Sequence, residues 1–190
     1  MGMPTAESPL AGIVLAGGLS SRMGRDKATL QRAGETLLAR ACRVLYEAGA
    51  DPVRVSGDYP QFAGIVDVVP RQGPLGGLYS VLPSLSDGWA WVIPVDMPHL
   101  ESTLLVGMMQ AAGHDTAACI RYGAEPLPML LRVDARSRAL ISARVHDACA
   151  PRSLRALQAG LGVIEIPVDA ALRPLLANCN SPAEWNEALP

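Results

Sequence analysis

The chain has 190 residues, 49% of them apolar and 18% charged, which excludes an intrinsically disordered polymer and leads to the expectation of one domain over 1–190, with residues 1–9 as a loose tail. Its 16 basic and 18 acidic residues leave a net charge of −2, which excludes a protein that holds nucleic acid by broad contact with phosphates. No apolar run reaches the roughly 18–20 residues that span a bilayer, and no basic residue precedes the short apolar run at 10–15, so no membrane span or secretory signal is read and a cytoplasmic location is expected.

Gly12-Ile13-Val14-Leu15-Ala16 is a continuous apolar run ending in Gly17-Gly18, the pattern of a buried strand feeding a loop. Residues 36–48 set Leu37, Leu38, Ala41, Val44, Leu45 and Ala48 at helical spacing, closed by Gly49. Short strands are expected at 53–55 and 65–69. A helix over 76–85 carries Leu78, Val81, Leu82 and Leu85 on one stripe and is entered through Gly73-Pro74-Leu75-Gly76-Gly77. The strand at 90–95 ends at Asp96. Beyond it the pattern predicts a helix at 101–112, strands at 116–121 and 129–133, helices at 135–145 and 152–161, and a strand at 163–168. From Asn178 a polar turn leads to a terminal helix, with Ser181-Pro182-Ala183-Glu184 as its capping box. Strands alternating with helices predict an α/β fold, a three-layer α/β/α sandwich with a mostly parallel sheet.

The four cysteines, Cys42, Cys119, Cys149 and Cys179, show no CxxC spacing, and the three histidines are scattered, so the thiols are expected free and no zinc site is read. Of the 16 cations, 15 are arginine and one is lysine, Lys27. A compact ammonium and a planar guanidinium are not interchangeable between phosphate oxygens, so the position of that single lysine matters.

Lys27 closes the loop after the first strand, which also holds Gly17, Gly18, Ser20, Ser21, Arg22 and Arg25. Glycines admit a ligand close to the backbone, Arg22 and Lys27 can neutralise phosphate, and such a loop lies at the carboxyl end of its strand, where open α/β sheets bind ligands. It matches neither G-x-G-x-x-G nor G-x-x-x-x-G-K-[ST]. Asp96, in Val95-Asp96-Met97-Pro98, emerges at the same edge if the sheet is parallel; a carboxylate facing phosphates calls for an intervening cation, most simply Mg²⁺. Gly73 to Gly77 offer room and backbone donors for a base or ribose. Asn178 and Asn180 either grip a second substrate or build the turn before the capping box. His99 reads as a surface turn residue rather than a general base.

Leu15-Ala16-Gly17-Gly18 with Ser20, Arg22-Met23-Gly24 and Asp26-Lys27 resembles the signature loop of the molybdenum cofactor guanylyltransferases, members of the nucleotidyltransferase superfamily with a Rossmann-like, glycosyltransferase-A type fold. Gly73 to Gly77, Val95 to Pro98, Glu125-Pro126-Leu127-Pro128 and Asn178 to Pro182 follow in that family's order, so the resemblance covers nearly the whole chain. It implies transfer of GMP from GTP to the terminal phosphate of molybdopterin, with pyrophosphate released and Mg²⁺ as cofactor. By the same resemblance Leu15, Ala16, Gly17 and Gly76 line the nucleotide, Gly18, Arg22 and Lys27 contact phosphates, Asp96 binds Mg²⁺, and Asn178 and Asn180 face molybdopterin. Lys27, Arg22 and Asp96 are then the catalytic set, and transient contacts with cofactor-synthesis or molybdoenzyme-maturation proteins are expected. Gly18 favours guanylyl over cytidylyl transfer, since the cofactor cytidylyltransferases usually carry Ala-Ala-Gly there. Two departures stand out: Ser56 follows the second strand where the family often has asparagine, and Val69-Pro70-Arg71-Gln72 lacks an aspartate often found before Gly73, with Asp67 the nearest carboxylate. The rival readings are a nucleotidyltransferase for CTP or a sugar 1-phosphate, and a non-catalytic paralogue that carries nucleotide or cofactor.

Overall fold

The computed structural model describes residues 10–17, 26–112 and 117–179; the expected tail at 1–9 and the terminal helix from Ser181 lie outside them. In chain order come β1 (Leu10–Leu15), a 3-10 turn (Lys27–Thr29), a hairpin of β2 (Gln31–Arg32) and β3 (Glu35–Thr36), α1 (Leu37–Glu47), β4 (Val53–Ser56), α2 (Pro74–Val81), β5 (Gly88–Pro94) and α3 (Ser102–Ala111). The second half adds β6 (Cys119–Tyr122), β7 (Met129–Val133), α4 (Ala135–His146), α5 (Leu154–Leu161) and β8 (Val163–Ile166). Among the described residues one six-stranded sheet runs in the order β4-β1-β5-β7-β6-β8. β1 is parallel to β4 and β5, and β6 to β8, while β7 lies antiparallel between β5 and β6.

Alternation along the central strands separates two cores, because successive side chains of a strand face opposite ways. Val14, Trp91, Ile93, Ile120 and Leu130 pack with Leu38 and Leu45 of α1 and Leu105 and Met108 of α3. Ile13, Ala90, Val92, Met129 and Leu131 pack with Leu75 and Leu78 of α2, Ile141 of α4 and Leu157 of α5. Burial on both faces explains why β1 and β5 read as unbroken apolar runs. Trp91 satisfies its ring N–H by donating to the Leu105 carbonyl at 2.8 Å, so its indole sits in the core without an unpaired donor.

The helices start where short polar side chains cap them. Thr36 Oγ1 accepts from the Ala39 N–H at the head of α1. Asp134 and Ser137 form a reciprocal capping box on α4, and Ser153 caps α5. Cys42, Cys119 and Cys179 are buried and Cys149 is exposed; burial pushes the Cys42 thiol up to about 11. Among the described residues no helix is long and apolar enough to cross a membrane.

The strand expected at 65–69 does not form. Ile65 alone bridges to Ser56, and the Val68 N–H donates to Ser80 Oγ of α2 at 2.9 Å instead of joining a ladder. Val66 and Val68 then project outward, 59% and 69% exposed, and Pro70, which lacks a donor, ends the extended path. The hairpin β2–β3 was not anticipated, being too short for a visible alternation.

Candidate active site

Parallel pairing brings the carboxyl ends of β4, β1 and β5 to one edge, with Leu15 in register with Ser56 on one side and Pro94 on the other. Residues leaving β4 and β5 are therefore about 10 Å apart, two strand spacings, with the Leu15-Ala16-Gly17 segment between them. Leu15 and Ala16 are buried and Gly17 is exposed. The Ala16 and Gly17 N–H groups both donate to the Ser56 carbonyl, at 3.1 and 2.8 Å, and the Leu15 carbonyl accepts from Val95. What Gly17 contributes at this edge is the space of a missing side chain.

On the β5 side Lys27 Nζ lies 2.7 Å from Asp96 Oδ2, and both side chains are largely sheltered, at 15% and 17% exposure. The turn behind Asp96 is braced from outside: Arg32 Nη1 and Arg40 Nε both donate to the Pro98 carbonyl, at 2.9 and 2.7 Å. His99 belongs to the same brace, its Nδ1 3.4 Å from Arg32 Nη2. Burial and the two guanidiniums hold His99 below its usual value, so its ring is neutral and turned to Arg32. It is half-buried, not the surface residue expected from the sequence. The Cys179 N–H donates to the Asp96 carbonyl at 2.8 Å, which docks the Asn178 segment beside Asp96; Asn178 itself is exposed.

On the β4 side Ser56 Oγ lies 3.5 Å from Asp67 Oδ1. Asp67 also borders Gly76, where an added Cβ would stand 3.4 Å from Oδ2 and 2.9 Å from Gln72 Cβ. At Gly77 an added Cβ would meet Ser56 Oγ at 2.4 Å, so α2 can approach the strand ends only with glycine there. Desolvation raises the Asp67 carboxyl above its usual range, against the smaller lowering effect of the Ser56 hydroxyl.

Lys27, Asp96, Leu15, Ala16, Gly17, Gly76 and Asn178 thus fall along one sheet edge, while Gly18, Arg22 and Asn180 lie outside the described residues. Sequence reasoning left Asp67 as only the nearest carboxylate and did not single out the Arg32–Arg40 brace or Tyr59, whose hydroxyl lies 3.0 Å from both Asp26 carboxylate oxygens. Tyr59 could have been found as an aromatic in the loop after a parallel strand, at the edge where ligands bind. The arrangement offers a sheltered ammonium and carboxylate at one end, a carboxylate for a polar ring at the other, and a side-chain-free floor between. Such a set of groups suits a nucleoside phosphate.

Residues 12–161 match the model of the MobA-like NTP transferase domain family. The chain is 43% identical over 186 residues, 97% of each protein, to the molybdenum cofactor guanylyltransferase of Xanthomonas euvesicatoria pv. vesicatoria. It is 35% identical over 195 residues, 96% of each, to the probable molybdenum cofactor guanylyltransferase of Opitutus terrae. Molybdopterin-guanine dinucleotide biosynthesis protein A of Archaeoglobus fulgidus shares the fold with a TM-score of 0.72 at 18% identity, over 94% of this chain and 96% of that one. So does a 4-diphosphocytidyl-2C-methyl-D-erythritol synthase of Anaerococcus prevotii, with a TM-score of 0.70 at 9% identity, over 95% and 94%. The fold is therefore common to proteins of both names, and it is the sequence match that separates them: this chain belongs to the molybdenum cofactor guanylyltransferases, within the MobA-like NTP transferase family.

Proposed function

We propose that this protein transfers GMP from GTP to the terminal phosphate of molybdopterin in the cytoplasm, forming the guanine dinucleotide cofactor and pyrophosphate. The observation that carries the reading is the Lys27–Asp96 pair at the carboxyl edge of the sheet, in a chain 43% identical to a molybdenum cofactor guanylyltransferase. An oxygen of the pterin phosphate bonds to the α-phosphorus of GTP, the bond to the bridging oxygen breaks, and pyrophosphate leaves with the electron pair. Both reactants are anions, so their repulsion is the main obstacle, and fixed positive charge is what lowers the barrier. Lys27, with Arg22 from the preceding loop, supplies it. The nucleophilic phosphate is already ionised near neutral pH, so the reaction needs no general base, and His99 is left to its bracing contact.

Leu15, Ala16, Gly17 and Gly76 form the floor for base and ribose, and Gly18 faces the phosphates. Asp67 is added to the nucleotide site: a carboxylate matches the adjacent N1–H and N2–H donors of guanine, whereas cytosine presents only one donor beside two acceptors. Asn178 and Asn180 face the pterin. Among the described residues no group of three His, Cys, Asp or Glu could hold a metal; Asp96 would be the protein ligand of an ion carried mainly by substrate phosphates and water. Mg²⁺ bound there would neutralise charge on the phosphates. The test is pyrophosphate release with GTP, Mg²⁺ and molybdopterin. GTP should outrank CTP and UTP, and omission of molybdopterin should stop release. Preference for CTP, turnover with a sugar 1-phosphate, or tight binding without turnover would replace this reading with one of its rivals.

A further inference from the structure

The sequence puts two carboxylates within reach of one ammonium: Asp26 precedes Lys27 directly, and Asp96 faces it across the sheet edge. The ammonium sits on Asp96, 2.7 Å away. Asp26 is engaged elsewhere. Its Oδ1 accepts the Ala28 N–H at 3.0 Å, capping the 3-10 turn that Lys27 opens, and its backbone carbonyl accepts from Thr29. The Tyr59 hydroxyl lies 3.0 Å from each of its carboxylate oxygens.

We infer that Tyr59 is a positioning residue for Lys27, holding the Asp26 carboxylate away from the ammonium so that Lys27 stands against Asp96. The inference rests on the reading of Lys27 as the cation that meets the phosphates. The hydroxyl also lies 3.2 Å from the Ala16 carbonyl, so that carbonyl and the Asp26 carboxylate compete for one proton. A phenol has one proton, and the carboxylate is the stronger acceptor. Burial and the neighbouring Asp26 charge raise the Tyr59 pKa well above its usual value, so the hydroxyl stays a donor throughout the working range. The ring cannot drift. Gly57, at φ +131°, leaves space that a Cβ would fill at 2.6 Å from Tyr59 Cε2. The Tyr59 N–H donates to the Gly57 carbonyl, and the Tyr59 carbonyl accepts from Phe62 and Gly64. A buried side chain whose hydroxyl meets the carboxylate next to Lys27 is placed to support the site.

Tyr59→Phe keeps the ring and removes only the hydroxyl. Displacing a reactive group by an ångström can cost about 10²-fold, so kcat for pyrophosphate release should fall about 10–100-fold. KM for GTP should change by less than about threefold, since the floor and Asp67 are untouched. Asp26→Asn on the Tyr59→Phe background should recover at least about fivefold in kcat, because an amide still caps Ala28 but no longer attracts Lys27. A merely structural tyrosine predicts no such rescue. The idea is overturned if Tyr59→Phe keeps kcat within threefold of the parent, or if the double variant is no faster than Tyr59→Phe. Lys27→Ala in the same assay separates two failures. If Lys27→Ala retains the parent rate, the phosphate reading falls and this inference with it; if it is inactive while Tyr59→Phe is unimpaired, only this inference falls.

Discussion

Lys27 and Asp96 are 69 positions apart in the chain and 2.7 Å apart in space, so the one lysine of the chain stands against the carboxylate proposed as the metal ligand. The pair resolves a problem of like charge. Lys27 neutralises Asp96; under the proposed function, Mg²⁺ held by Asp96 would take over that task and leave the ammonium to phosphate.

Lys27→Ala should reduce pyrophosphate release by about 10²–10³-fold, the scale for removing one preorganised group that stabilises charge. The pair is too sheltered to count as a surface ion pair, so the variant should also lose stability, on the order of 1.5–3 kcal/mol, as expected for a hydrogen bond between charged groups. Thermal unfolding and initial rates, read together, check both halves. Lys27→Arg should restore the pair's charge but only part of the rate, because a planar fork does not place its charge as an ammonium does.

Asp96→Asn should behave differently from Lys27→Ala. It removes a hard anionic ligand, so the Mg²⁺ concentration for half-maximal rate should rise by about tenfold or more while metal-free GTP binding, followed calorimetrically, holds or improves. An unchanged Mg²⁺ requirement would return Asp96 to the role of a turn residue.

For Asp67 the two expectations have opposite signs. Because burial raises its folded pKa, the native state holds the proton more tightly than the unfolded chain does. Stability is therefore lost as pH rises from the unfolded value to the raised one, and the loss is complete above it. Asp67→Asn should then melt higher than the parent at pH 7, with the difference vanishing in acid. The same change should weaken GTP binding about 10–100-fold, since a hydrogen bond to a charged group contributes about 1.5–3 kcal/mol. Melting curves at pH 4 and pH 7, with GTP titrations, test the pair of effects.

Changing Asn178 and Asn180 together to Ala should raise the requirement for molybdopterin by roughly 5–150-fold and leave GTP affinity alone, two neutral hydrogen bonds being worth about 0.5–1.5 kcal/mol each. Asn178 is exposed, so replacing it alone should shift stability by less than about 0.5 kcal/mol. If both ligands bind worse in parallel and the melting temperature drops, the two amides shape the turn instead.

Of the four thiols, Cys149 alone should react quickly with an aromatic disulfide reagent in the native protein. Burial pushes Cys42 to about 11 and Cys119 to about 12, and Cys179 is only 5% exposed. Counting fast-reacting thiols in the parent and in Cys149→Ser checks this.

The core elements were legible because their patterns report burial directly. The run before Gly17 and the run before Asp96 are strands covered on both faces, and the stripe from Leu37 to Ala48 is a helix with one covered face. The run at 65–69 misled because β-branched residues are also common outside sheets, and the Ser80 hydroxyl that takes the Val68 N–H belongs to the helix that follows. At the site, Lys27 and Asp96 could be paired in advance through strand order alone. Tyr59 could be placed at this edge as an aromatic following a parallel strand, but its contact with Asp26 could not be read in advance, because only the folded chain brings the two together.

The antiparallel β7, wedged between β5 and β6, has a consequence for synthesis. β5 leaves the ribosome about 40 residues before the strand that covers its free edge, a delay of roughly 2–8 s at about 5–20 residues per second. Throughout that interval Ala90, Trp91, Val92 and Ile93 lie beside an unpaired ladder, next to a β1 that is already available. Such an edge invites pairing with another chain. Nonsense products ending between residues 95 and 128 should therefore collect in inclusion bodies, and the full-length protein should lean on chaperones at mid-translation more than at release.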